Sequence, residues 1–169
     1  MIVKHQEYQL RLKFPFTIAR FSRESTPVLL LEISHAGETG LGEASMVPYM
    51  GESFETASHF LSRVDWNRLT YPFDFESILF YLDELAPGNP AIKAAIDIAL
   101  HDLQGKIAGE ACYQMFGSEP DKMPLTSYTI GIDSPAVIIK KVEDALSHDF
   151  RLLKVKLGRE EDKMLIETI

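Results

Sequence analysis

Cysteine is nearly absent from this chain of 169 residues, where Cys112 is the only one. A single thiol forms no internal disulfide, which fits a reducing compartment. Its neighbours Ala111 and Tyr113 predict burial, and nothing around it marks it for nucleophilic chemistry. Long apolar runs are missing too. None approaches the ~20 residues of a membrane span, and the opening M-I-V-K-H-Q-E-Y lacks the apolar centre of a signal peptide. A cytoplasmic protein with no membrane partner is expected. Basic charge is in short supply, with 17 Lys and Arg against 25 Asp and Glu and a net charge of −8. That balance argues against a nucleic-acid surface. No repeat or low-complexity tract is visible. What is present is ordinary globular material, 46 % hydrophobic and 25 % charged, and long enough to bury a sizeable core.

Along the chain the apolar residues first alternate. Tyr8, Leu10, Leu12 and Phe14, with Arg11 and Lys13 between, predict a half-buried strand from Ile2 to Phe14. T-P-V-L-L-L-E-I-S, from Thr26, predicts a second and more buried strand. H-A-G-E-T-G reads as a Gly-rich turn and L-G-E-A as a short third strand, so this pair forms a hairpin. Between the first two strands, P-F-T-I-A-R-F-S-R-E-S is polar and aromatic with no evident period, and reads as a loop.

After Pro48 the period turns helical. Ser53 and Asp74 are N-cap candidates for two helices, the second running through Leu85. Asn89 as N-cap and Pro90 at the first helical position open a third. Its stripe of Ile92, Ala95, Ile96, Ala99, Leu100, Leu103 and Ile107 ends at Gly109. From Met123 the grammar changes again. P-L-T-S-Y-T-I-G predicts a strand, Ser134 and Pro135 open a helix with Ile138, Val142, Ala145 and Leu146 inward, and F-R-L-L-K-V-K-L-G predicts another strand. Strand and helix alternating at this spacing indicate a βαβ unit with parallel strands. Two parallel strands make no stable sheet alone, and the last residues start an amphipathic helix without a cap. The front portion of a longer protein is expected.

Lys154 and Lys156 interrupt an otherwise apolar strand, and the period of two puts both on one face. Two placements accommodate them. In an open sheet the lysine face is solvated, as on many edge strands. In a closed α/β barrel, Leu153, Val155 and Leu157 pack on helices while the lysines point into the barrel, where such enzymes place catalytic groups.

The order and spacing of T-G-L-G-E-A-S, A-I-K-A-A-I-D-I-A-L-H-D-L-Q-G-K-I-A-G-E, Y-Q-M-F-G, S-Y-T-I-G-I and L-K-V-K-L-G select between them. Together these segments resemble the enolase superfamily, in its muconate-lactonizing and dipeptide-epimerase subgroup, along essentially the whole chain. The resemblance implies an α+β capping domain, an antiparallel sheet plus helices, over residues 1–123. Residues 124–169 would then be the first βαβ unit of a modified (β/α) TIM-type barrel, incomplete in this chain.

Chemistry follows from the same resemblance. The family's K-x-K strand provides a general base that removes a proton from the carbon next to a carboxylate. Carried onto this chain, Lys156 is the base, and Lys154 is its neighbour, placed to orient a substrate carboxylate. A second ammonium close by and partial desolvation both disfavour protonation, so such an amine can accept a proton near neutral pH. The family stabilises the enolate with Mg²⁺ held by three carboxylates on later barrel strands. Those ligands, and a second lysine for the other side of the carbon, are expected beyond Ile169.

Arg20 in T-I-A-R-F and Thr129 in S-Y-T-I-G match positions that dipeptide epimerases use for substrate. A guanidinium there suits a second carboxylate, as in an Ala-Glu-like dipeptide. Taken as bare residues, Arg20 fits a solvated loop charge and Thr129 an ordinary strand threonine. Tyr49 and Met50 are candidates to wall the pocket, or packing residues. Asp97 and His101 have metal-ligand spacing, but no third ligand accompanies them and a local helix pair explains them better. Glu43 and Asp102 read as structural hydrogen-bonding groups.

The expected whole is a Mg²⁺-dependent isomerase and homo-oligomer acting on a small-molecule dipeptide, with the fragment inactive alone. Muconate cycloisomerase and o-succinylbenzoate synthase keep the chemistry and change the product. A catalytically silent binding or assembly fragment is the reading from another class.

Overall fold

Alternation carries the N-terminal strands further than the sequence predicts. In the computed structural model, which describes residues 1–47, 50–158, 160 and 162–169, β1 runs over Ile2–Ile18 and β2 over Phe21–His35. Only Ala19 and Arg20 separate them, so the stretch read as a loop is the far end of a hairpin. The period was intact across Pro15: Leu12, Phe14, Phe16 and Ile18 are all half-buried. Pro15 is tolerated because β1 is an edge strand, where one row of backbone groups has no ladder partner.

β3 (Glu38–Ser45) completes a three-stranded sheet in the order β1-β2-β3, antiparallel to β2. Ala36 and Gly37 form the whole turn, at φ 54° and 87°, the positive values that two-residue hairpin turns require. Register pairs Leu29, Leu31 and Ile33 with Ala44, Gly42 and Gly40. These face the long helix α3 (Pro90–Ala108), and a Cβ on Gly40 or Gly42 would lie 1.9 or 2.0 Å from the carbonyl oxygens of Ala99 and Ala95. Strand and helix backbones are in direct contact there, which only glycine permits.

The helices are α1 (Phe54–Arg63), α2 (Phe75–Leu85), α3 (Pro90–Ala108), the single turn α4 (Cys112–Met115), α5 (Pro135–Ser147) and α6 (Asp162–Thr168). Ser53 caps α1 in a reciprocal box with Thr56, and Asp74 caps α2 through the Ser77 N–H. Asn89 holds the N-cap position of α3 but its side chain does not cap; it donates to the Pro87 carbonyl. The buried carboxylate of Glu52 takes that role, accepting the Ala91 N–H at 2.9 and 3.2 Å. An acid at a helix N-terminus is stabilised by the unpaired N–H groups and the helix dipole.

The chain divides into two compact units, one of Met1–Leu10 with Thr26–Pro120 and the other of Arg11–Ser25 with Asp121–Ile169. The first is built on one core in which Leu29, Leu31 and Ile33 meet Ile92, Ala95, Ile96, Ala99 and Leu103 of α3, with Phe60 and Leu82 from α1 and α2. In the second, parallel strands β4 (Ser127–Ile130) and β5 (Leu152–Val155) flank α5, giving the expected βαβ unit with β4 shorter than predicted. Ile130, Ile138 and Leu165 form its centre, with Tyr128, Val142, Leu153 and Val155 against them. Leu146, predicted inward, is exposed; the next α5 turn toward the N-terminus buries Lys141 instead. Leu157 is exposed as well, because β5 ends at Val155. Cys112 is half-buried rather than in the core, at the start of α4 between exposed neighbours. Among the described residues no helix is long and apolar enough to cross a membrane.

Candidate active site

Parallel pairing sets the site in the second unit. Tyr128 pairs with Leu153 and Ile130 with Val155, the face that packs on α5 and α6. Thr129 pairs with Lys154, so these two share the opposite face. The ladder runs one step past β5, where the Lys156 N–H donates to the Ile130 carbonyl at 2.9 Å. Lys156 therefore stands at the carboxyl end of the strands, half-buried, while Lys154 is exposed.

The hairpin tip is held at the same end. The Ile132 N–H, just past β4, donates to the Thr17 carbonyl at 2.9 Å. A Cβ on Gly131 would sit 3.0 Å from that same oxygen, and one on Gly158 would come within 2.9 Å of the Ala19 Cβ. Gly158 also has φ 135°, so glycine is required there twice over. The Ala19–Arg20 turn is thereby placed beside the segment that follows Lys156. Arg20 itself is exposed.

Charge fastens the hairpin from its other side. Lys141, 3 % exposed, donates to the Pro15 carbonyl at 3.2 Å and to Asp133 Oδ2 at 3.1 Å. Lys13 donates to Asp144, whose carboxylate lies near Tyr128 and His148. The Lys13 hydrogen bond, chiefly, holds the Asp144 carboxyl below its ordinary value. Burial, then the negative charge of Asp144, raises the Tyr128 phenol. A cavity of about 220 Å³ lies between these groups, lined by Lys13, Phe14, Arg23, Tyr128, Thr129 and Lys141.

Of the six residues singled out from the sequence, Arg20, Thr129, Lys154 and Lys156 fall in the second unit. Met50 belongs to the first, 51 % exposed in a turn, and Tyr49 lies outside the described residues. Asp97 and His101 form a helix-surface pair, 3.2 Å apart, with the imidazole stacked at 3.7 Å on Phe75. Asp102 is structural, accepting from the Leu41 N–H and from Lys106. Burial raises its carboxyl, but the Lys106 bond, the Leu41 bond and the Lys106 charge outweigh that and leave it lowered. Glu43 stands exposed on β3. Sequence reasoning missed Lys141, Asp133, Asp144 and Tyr128. The only signal was the unbroken alternation from Leu12 to Ile18, which would have carried β1 to the second unit.

Residues 2–117 match the sequence model of the mandelate racemase / muconate lactonizing enzyme family, N-terminal domain. The chain belongs to this family, and its sheet with helices is the capping domain of the enolase superfamily. It is 48 % identical over 162 residues to the L-Ala-D/L-Glu epimerase of Bacteroides thetaiotaomicron, across 96 % of this chain and 42 % of that enzyme. Its fold is similar to the substrate-liganded L-Ala-D/L-Glu epimerase of Bacillus subtilis, with TM-score 0.86, 25 % identity, and coverage of 100 % of this chain and 49 % of that one. It is also similar to the dipeptide epimerase of Enterococcus faecalis V583 complexed with Mg and L-Leu-L-Tyr, with TM-score 0.84, 30 % identity, and coverage of 99 % and 48 %. The chain spans about half the length of these relatives.

Proposed function

We propose that this chain is the N-terminal part of a Mg²⁺-dependent dipeptide epimerase acting on an Ala-Glu-type dipeptide. The supporting observation is that the Lys154–Lys156 strand and the Arg20 turn meet at the carboxyl ends of β4 and β5. Catalytic groups of α/β barrels occupy that end. Residues 1–123 are read as the capping domain and 124–169 as the opening of the barrel.

In this reading Lys156 Nζ takes the α-proton. The C–H bond breaks, an N–H bond forms, and the electron pair passes into the adjacent carboxylate as an enolate. Lys154, on the same face, orients that carboxylate, with Thr129 beside it in the neighbouring strand. Arg20 binds the side-chain carboxylate of the second residue through its planar fork.

Among the described residues no three His, Cys, Asp or Glu side chains cluster to hold a metal ion. The residues present do not fit Mg²⁺, and its ligands are assigned to the rest of the protein. A cytoplasmic homo-oligomer completes the reading, with the lone cysteine supporting the compartment.

The test is α-deuterium incorporation by the full-length protein across a dipeptide library. Exchange confined to Ala-Glu-type dipeptides is expected. Turnover of a muconate with no dipeptide exchange would transfer the protein to the cycloisomerases.

A further inference from the structure

We propose that Lys141 is a positioning residue for substrate binding: it sets where the Arg20 turn stands at the lysine end of the strands, without touching substrate. What the turn binds rests on the dipeptide-epimerase reading above.

A lysine with 3 % of its surface exposed is unusual, since burying an ammonium is unfavourable unless partners replace its water. Its partners come from separate parts of the chain. The Pro15 carbonyl lies on β1 at 3.2 Å, and Asp133 Oδ2 lies in the loop leaving β4 at 3.1 Å. The Phe14 ring stands 5.9 Å from the same nitrogen. Asp133 is itself fixed, because its other oxygen accepts the Ser134 N–H at 2.8 Å. One ammonium thus joins the hairpin, the loop at the carboxyl end of β4, and helix α5.

Geometry connects that joint to the turn. Pro15 precedes Thr17, whose carbonyl takes the Ile132 N–H, and Ala19, which meets Gly158. The Lys13–Asp144 pair is a second fastening, but the Lys13 side chain is 63 % exposed, where ion pairs hold weakly. Lys141 differs because displacing it leaves a buried charge unpaired. Lys141 is therefore the buried charged fastening of the hairpin.

Lys141→Met keeps an apolar side chain of similar length and removes all three donors. In the full-length protein, amide exchange over residues 11–25 and at Ile132 should rise roughly tenfold. KM for the dipeptide should rise by a similar factor while kcat stays within about twofold, the pattern of lost binding rather than lost chemistry. Asp133→Asn, which leaves the loop intact and withdraws the partner charge, should move both readouts the same way. Unchanged exchange overturns the proposal. So does increased exchange with KM unmoved, and so does a fall in kcat and thermal stability with no change in KM, which would mark a merely structural lysine. If the wild-type protein exchanges no dipeptide, the functional reading fails, and the amide exchange alone decides whether Lys141 seats the hairpin.

Discussion

Lys154 and Lys156 are two residues apart yet differ in surroundings, the first exposed and the second half-buried at the end of the ladder. The shielded amine is the one assigned the proton transfer. On the proposed function, Lys156→Ala in the full-length protein should lower exchange on one stereochemical face by ~10²–10⁴-fold. Unchanged exchange of both substrate epimers would show that another group is the base. Asp144 gives a second prediction, about pH. Its carboxyl lies below the ordinary 3.8, chiefly through Lys13, so the folded state favours the ionised form. The stability this contributes is present above the ordinary value and is lost as pH falls through the lowered one. Tyr128 runs the other way. Its phenol lies above 10.0 through burial and the Asp144 charge, so its contribution is full below that value and is lost as pH rises through the raised one. The second unit should thus loosen at both extremes. Melting temperature measured against pH should show a shallower acid limb in Asp144→Asn than in the wild type.

Elements differ in how much of them local sequence decides. Gly42 gives a sharp case, since any Cβ there meets the Ala95 carbonyl at 2.0 Å. Gly42→Ala should destabilise by about 3 kcal/mol, the upper end of overpacking losses, read as a lower denaturant midpoint. Gly37→Ala meets nothing within 4 Å and strains only a turn at φ 87°, so about 1 kcal/mol is expected. Equal losses would mean that β3 and α3 can move apart. Helix boundaries were legible because Ser53, Asp74, Pro90 and Gly109 are local signals of caps and stops. The same logic failed at Asn89, where the cap comes from Glu52, 39 residues before Ala91. It failed again at Pro15, a strand breaker in a central strand but not at an edge. Lys141 was illegible for a related reason. Nothing near it in sequence says that its partners, one of them 126 residues away, would bury it in place of Leu146. The lysine strand was readable as a strand, while the group facing it across the site, the Arg20 turn, needed the hairpin to be seen first.

At the scale of the whole molecule the proposed Mg²⁺ requirement becomes testable. Strands β4 and β5, with the step to Lys156 that follows them, carry Thr129, Lys154 and Lys156 but no carboxylate. Calorimetry on residues 1–169 should therefore show no stoichiometric Mg²⁺ binding, whereas the full-length protein should bind it. Tight binding to residues 1–169 would defeat the reading. The division of the chain has a further result, which concerns inheritance. The second unit is encoded in two pieces, Arg11–Ser25 and Asp121–Ile169, with the bulk of the first unit between them. A gene exchange with a single crossover near codon 120 would join this protein's Lys141 and Gly158 to a foreign hairpin. Such a chimera would depend on the foreign hairpin to place carbonyls against Lys141 and Ile132 and a small side chain against Gly158. Exchange between such genes should succeed more often when both pieces travel together, because the early hairpin and the lysine strand are fitted to each other at Ala19 and Gly158.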